Sequence, residues 1–457
     1  PNSSCLKRFE AANFLQEHWK RPVVFEYIED GKVTMVHETE ASVMGGCSRE
    51  WEVVSLKLKA DSKVGSSKKK KKKSPFKDKP DNKYTSLHLR NGGNGGNTED
   101  INVVRVRDGF MQSLTKEMNI DYQAYQPVAY YLNGKYMGLM GLRERTNEDY
   151  VEANYGLEDD DIDLLKAKNS VGMEVSNGTN DKYREMIEFL ENNDPTTKSY
   201  YEKACEYIDM DEYIDYQVFE HFIVNTDWPG NNVKIWRDNK GGKFRWIVYD
   251  TDFGLGLYSN NENHCHAYLN TFKFAIGETP IMWSNGIKIS GNYVKEQPNW
   301  KVTIFYHLTK NPYFNERFVN KALIHLGTTF SYEQVKKVWG TIKNEVEDEF
   351  CAFAKKYGKS ETNIGDLGGV NHMLNFATDR PGYMQSHMEE FFNLKGYIDF
   401  KLSSNIDEAK FLINGDLLNQ SSYEGKQVLD KNLKVEPIAP EGYIFKHWEV
   451  EGFVGST

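Results

Sequence analysis

The sequence predicts an α+β fold in which a large mixed domain, residues 1–396, precedes a small all-β module, residues 397–457. Three observations predict it. Alternating apolar and polar runs separated by turn residues fill the first 150 positions, helical periodicity dominates from 178 to 395, and short strands return beyond 397. Residues 6–20 (LKRFEAANFLQEHWK) have helical spacing, and PVVFEYIEDGKVTMVHE reads as two strands about a turn at Asp30 and Gly31. In EWEVVSLKLKA, Val54, Leu56 and Leu58 share one face of a strand while Ser55, Lys57 and Lys59 share the other. YTSLHLRNGGNGGN is a strand running into a turn at Gly92, Gly93, Gly95 and Gly96. A helix is expected over 103–119, and then a hairpin in YQPVAYYLNGKYMGLMGLRER turned by Asn133 and Gly134.

Helices are expected over 178–193 and 197–224, the second with a buried face that includes Tyr213, Val218 and Phe222. VKIWR and KFRWIVYD then form an antiparallel hairpin whose second strand is apolar enough to be central. Further helices cover 302–356 and 369–395, the latter interrupted at Arg380 and Pro381. GYIDFKLS, AKFLING, KQVLDKNLKVEPIA and GYIFKHWEVEG are the strands of the terminal module, which reads as incomplete.

Composition narrows the function classes. The chain has 457 residues, 39% of them hydrophobic and 13% aromatic, which is a folding and not a disordered composition. No run of 18 apolar residues occurs, so no transmembrane helix is encoded. The net charge of −10 argues against a general nucleic-acid binder. Against that background stand six consecutive lysines at 68–73, which read as a solvated loop and as a place where an acidic acceptor docks. Cys5, Cys47, Cys205, Cys265 and Cys351 are scattered, odd in number and free of any CxxC, so they read as free buried thiols. The sequence NHCHAY around Cys265 lacks a second pair of ligands at a zinc-like spacing.

The chemistry gathers in NTDWPGNNVKIWRDNKGGKFRWIVYDTDFG, residues 225–254. Taken alone, WPGNN is a turn, and Asp250 and Asp252 are caps. Their joint order says more. A long helix ends at Asp227, Asn232 follows five residues later, two strands come next, and Asp252, Phe253 and Gly254 close the unit. Protein kinases need a carboxylate beside the acceptor hydroxyl and hard oxygen ligands for magnesium, and they arrange them in this order. The HRD context is absent, since Asn225 and Thr226 stand where His and Arg would be.

These residues resemble the CotH kinases, the family of the spore-coat protein H of endospore-forming bacteria, also widespread in Bacteroidetes. GGCSREWEVVSLKLKA, LHLRNGGN, QPVAYYLNGKYMGLMGLRERTNEDYV, NTDWPGNNVKIWR and FRWIVYDTDFGLG carry the resemblance, from about residue 22 to 395. The tail beyond 397 is similar to β modules that follow such domains in secreted proteins. The resemblance implies an atypical protein-kinase-like fold and a location outside the cytosol or in the cell envelope. It also implies transfer from ATP, with magnesium or alternatively manganese, to Ser or Thr of protein substrates. On it, Asp227 falls on the catalytic-loop Asp, and Asn232, Asp250 and Asp252 become metal ligands. Glu144 sits where the family keeps an acid, one that orients a basic residue or a second metal at the nucleotide, and Arg90 before the glycine turn suits a phosphate.

One position departs from the family. Val54 stands where a lysine often precedes the Ser of the third strand, and alternation turns Lys57 and Lys59 to the opposite face. Lys57 is still the nearest substitute for nucleotide binding. The departure keeps two other readings open, a non-catalytic pseudokinase or surface scaffold and, from the Asp-x-Asp at 250–252, a metal-dependent glycosyltransferase.

Overall fold

Lys20–Glu29 (β1) and Lys32–Met44 (β2) pair antiparallel across Asp30 and Gly31, whose φ angles of 49° and 73° are the left-handed pair a two-residue hairpin needs. The computed structural model describes residues 20–50, 53–60, 72–93, 105–168, 172–257, 265–278, 300–356 and 370–452. The helix expected over 6–20 lies outside them but for Lys20, which opens β1.

Ser55–Lys59 (β3), Lys72–Lys73 (β4), Lys83–Tyr84 (β5) and Ser86–Arg90 (β6) come next, followed by the helix Arg107–Leu114 (α1). Asp121–Tyr122 (β7), Tyr125–Leu132 (β8) and Lys135–Glu144 (β9) complete this half. Six strands form one antiparallel sheet in the order β1-β2-β3-β6-β9-β8. Strand alternation sorts its two faces. One carries Leu87, Leu89, Leu142 and Glu144, and packs with Val53, Phe76, Tyr84 and Met140 into a core. Lys57, His88 and Arg143 stand in register on the other face, together with Arg90.

Glu148–Tyr155 (α2), Ile162–Lys168 (β10) and Gly172–Asn177 (β11) follow, then Asp181–Asn192 (α3), Lys198–Tyr207 (α4) and Met210–Ile223 (α5). The single helix expected over 197–224 is two. Asp209 caps α5 by accepting from the Glu212 N–H at 3.4 Å, and its own N–H donates to the Phe244 carbonyl at 3.0 Å. A capping side chain and a strand partner thus stop one helix and start the next. Lys234–Asp238 (β12) and Arg245–Val248 (β13) form the expected hairpin. They belong to a second sheet, β11-β10-β12-β13-β7, in which only the β13–β7 pair is parallel.

The helices Thr271–Ala275 (α6), Thr303–Leu308 (α7), Pro312–Gly327 (α8), Tyr332–Lys356 (α9) and Val370–Phe391 (α10) build the rest of the main core with α5. The interruption expected at Pro381 does not occur, and α10 runs through it. Arg380, fully buried there, donates to the carbonyls of His221, Ala267 and Leu269 and so holds the helix against its neighbours. Among the described residues no helix is long and apolar enough to cross a membrane.

Beyond residue 396 the described regular elements are strands, Tyr397–Ser403 (β14), Lys410–Ile413 (β15), Asp416–Leu418 (β16), Ser422–Val428 (β17) and Val435–Ile438 (β18). They dock on α8. Phe411, Ile413, Leu418 and Tyr423 pack on Ile324, and Asn320 donates to the Ile413 carbonyl at 2.8 Å and to Asp416 at 2.7 Å. GYIFKHWEVEG is not a strand: among the described residues it has no ladder partner, and Tyr443, Ile444, Phe445 and Val450 are exposed, while Trp448 lies against Phe411.

Candidate active site

Helix α5 is buried almost all round, so its acids need partners within the core. Glu212 accepts from the Trp246 N–H, and Asp215 accepts from Lys321 at 2.9 Å. Glu220 accepts from the Asn225 side-chain amide at 2.9 Å. Helix α5 ends at Val224 in a left-handed conformation, φ 54°. Asn225 then ties the exit to the helix, because its side-chain oxygen accepts from the Asp227 N–H at 3.2 Å while its amide group holds Glu220. Trp228 anchors the other side of the loop, buried edge-on against Tyr216 and His221.

Asp227 is thereby fixed with one carboxylate oxygen accepting from the side-chain amides of both Asn231 and Asn232, each at 3.0 Å. Burial, aided by the neighbouring charge of Asp250, pushes its carboxyl up to about 7 against the pull of those two donors. Asn232 also reaches the carbonyl of Asp250 at 3.3 Å, and so joins the loop to the end of β13.

Past β13 the chain bends at Asp250, whose φ of 58° turns the carboxylate outward; it is 38% exposed. Thr251 points inward and donates its N–H and hydroxyl to Asp108 of α1 at 2.9 and 2.8 Å. Asp252 is buried, 3.6 Å from Arg90. The guanidinium of Arg90 also hydrogen-bonds Asp250 and lies 3.6 Å from Asp108. Burial alone would lower Arg90, but Asp250, Asp108 and Asp252 together hold it above its ordinary value. Asp108 is held well below the carboxylate range: burial would raise it, but Arg143 at 2.5 Å, Arg90 and the Thr251 hydrogen bonds prevail. Gly93, at φ +60°, is the point of closest approach, since any Cβ there would collide with Asp252 and Arg90. The segment after Asp252 is bolted down by Arg107, which donates to the carbonyls of Gly254 and Leu255 at 2.9 and 2.7 Å.

The structure therefore brings Asp227, Asn232, Asp250, Asp252 and Arg90 to one place, where the two sheets meet. Lys57 lies on the same face of the first sheet as Arg90, two strands' width from β9. Glu144 does not join them. It faces the opposite side, where Lys79 (2.6 Å), Tyr84 (2.7 Å), Asn154 (2.9 Å) and the Ala124 N–H (2.7 Å) take up its oxygens. Strand alternation sets Glu144 behind the sheet, where it orients the basic side chain of Lys79. Lysines 68–71 lie outside the described residues, and Lys72 and Lys73 form a short ladder with β5 instead of a loop. Of the described cysteines without a disulfide, Cys265 is buried, with its thiol pushed up to about 12 by burial; it bridges Thr226 at 3.1 Å and the Phe253 carbonyl at 3.0 Å.

Sequence reasoning missed Asp108, Arg143, Arg145 and Lys234. Lys234, two positions after Asn232 at the start of β12, offered a signal through strand alternation; the other three offered none. A cavity of about 50 Å³ lies behind the loop, lined by Tyr213, Tyr216, Trp228 and Trp246 among others, away from the carboxylates.

Among the described residues no three His, Cys, Asp or Glu side chains form a metal site by themselves. Magnesium does not require one, since it is commonly held by one or two carboxylates together with substrate phosphates. Asp250 and Asp252, near enough to share one Arg90 nitrogen, are a fitting hard-oxygen pair, with the Asn232 side chain beside them.

Fold and site together define an α+β protein whose two sheets meet at a cluster of carboxylates and amides threaded by one arginine. The chain belongs to the CotH kinase family: the family model described as CotH kinase protein matches residues 41–384, most of its length. No curated protein matches it.

Proposed function

We propose that the protein is an atypical Ser/Thr protein kinase that transfers the γ-phosphoryl group of ATP to protein hydroxyls, with the first sheet and the helical half acting as the two lobes of a kinase-like fold. The observation that carries this reading is Asp227, held by Asn231 and Asn232 and facing Asp250 across the hairpin. A carboxyl poised near neutrality suits a general base. As the acceptor hydroxyl oxygen forms its bond to the γ-phosphorus, Asp227 takes the hydroxyl proton and the bond to the ADP oxygen breaks. Magnesium, held by Asp250, Asp252 and Asn232, would neutralise charge on the phosphate oxygens. Arg90 keeps the two carboxylates oriented toward that position.

Family membership supports a protein acceptor, and the family resemblance supports a location outside the cytosol or in the cell envelope. The terminal strands form a docking or spacer module in this reading. The test is Asp227→Asn: transfer from ATP to an acceptor should be abolished while the melting transition is kept, and an unchanged rate would sink the assignment. A non-catalytic scaffold is the second reading. It is favoured by Arg90, which already neutralises both carboxylates. Absence of ATP binding at saturating nucleotide and metal would decide for it.

A further inference from the structure

Beside Asp250, on the face of the first sheet that meets the second, cations gather in excess of the acids that act on them, which for Lys234 are Asp250 and Glu148. His88 lies half-buried among Arg145, Lys234, Arg90 and Lys57. Lys57 has Arg145, Lys20 and Lys59 around it, and the acid Glu40 that acts on it is engaged by Lys20 at 3.0 Å. Lys234 donates to the carbonyl and hydroxyl of Thr146 and lies 4.6 Å over the Tyr249 ring. Among the described residues neither Lys57 nor Lys234 forms an ion pair. Arg145 is 4.0 Å from Asp149, whose oxygens are taken by the Thr85 and Ser86 hydroxyls, and its Nη1 is buried without a hydrogen-bond partner. Half-buried cations that outnumber the acids beside them make a site complementary to a polyanion. Asp250 is engaged by Arg90.

We infer that Lys57, Arg145 and Lys234 form the seat of the polyphosphate chain of a nucleoside triphosphate. The cation missing at Val54 is thereby supplied from the facing side of the same sheet and from β12 of the second. The assignment rests on the kinase reading only for the identity of the ligand; the anion seat stands on the charges themselves. A bidentate guanidinium and two ammonium groups grip phosphate oxygens and leave the adenine to other contacts.

The test is calorimetric titration of the full chain with magnesium-ATP, inorganic tripolyphosphate and adenosine. Wild type should bind the first two. Lys57→Met and Arg145→Met should each weaken both by about tenfold or more, leaving adenosine unaffected. Lys234→Met should do the same, and Lys234→Arg should retain most of the affinity. Lys57 is partly exposed, so its variant gives a folded control if the Lys234 variant melts early. Unchanged tripolyphosphate affinity in the Lys57 and Arg145 variants would overturn the seat, even if the enzyme phosphorylates an acceptor. Conversely, tripolyphosphate binding lost in the variants, from a chain that never transfers phosphate, would uphold the seat and sink the kinase reading.

Discussion

At Asp227, burial and the charge of Asp250 resist ionisation, and the amides of Asn231 and Asn232 offset only part of that cost. Its carboxyl moves from an ordinary 3.8 to about 7, so folding favours the protonated form. The stability this group contributes is complete below its unfolded value and is lost as pH rises through about 7. Activity has the opposite slope, because a base must be charged to accept a proton. We expect kcat/KM to rise with pH through about 7 and then level, and Asp227→Asn to melt no lower than wild type above that pH. A rate independent of pH across neutrality would remove Asp227 as the base. Asp227, Asn232, Asp250 and Asp252 were legible because local spacing and a strand end carry them. Asp108 was not: it meets Thr251 from 143 positions away, and RDGFMQSL has the look of any short helix.

Elements explain how those residues keep their places. Helix α5 hands the chain to the loop through Asn225, which bonds both Glu220 and the Asp227 N–H. Burial pushes the Glu220 carboxyl up to about 8. Asn225→Ala should therefore leave a buried acid without its donor and cost about 1–3 kcal/mol of stability in urea unfolding. It should also lower kcat more than it raises KM for ATP, because the loop and not the nucleotide contacts is loosened. Equal stability and unchanged kcat would show that the loop is held otherwise. Helix periodicity found the elements around the site but not their ends. Nothing apolar marks the break at Ile208 and Asp209, which depends on a hydrogen bond to Phe244 some 35 positions on. The interruption expected at Pro381 failed for a tertiary reason as well, since Arg380 anchors α10 to three carbonyls from other segments.

On the scale of the whole molecule, the terminal strands are fastened to α8, whose Phe314 and Phe318 pack against residues of α5. Ending the chain at residue 396 would expose Ile324 and remove Asp416 from Arg317 and Asn320. Such a truncation should lower the melting temperature and increase binding of an apolar dye; an unchanged melting curve would mean that the strands contribute nothing to the rest. The two-sheet arrangement itself was only half visible in the sequence. The strands around the hairpin at Asn133 and Gly134 read plainly, whereas Ile162–Lys168 and Gly172–Asn177 fell in a stretch where acidic residues and short runs conceal any period. The covalent passage between the sheets is shorter still. Strand β7 belongs to one and β8 to the other, with only Gln123 and Ala124 between them. Gln123 donates to the Glu144 carbonyl at 2.7 Å, and Ala124 donates to the Glu144 carboxylate at 2.7 Å. Glu144 thus holds the crossing between the two sheets from behind the carboxylate cluster. The two residues that join the sheets are both tied to this one residue of the first sheet, so the crossing and the end of β9 are a single hydrogen-bonded unit.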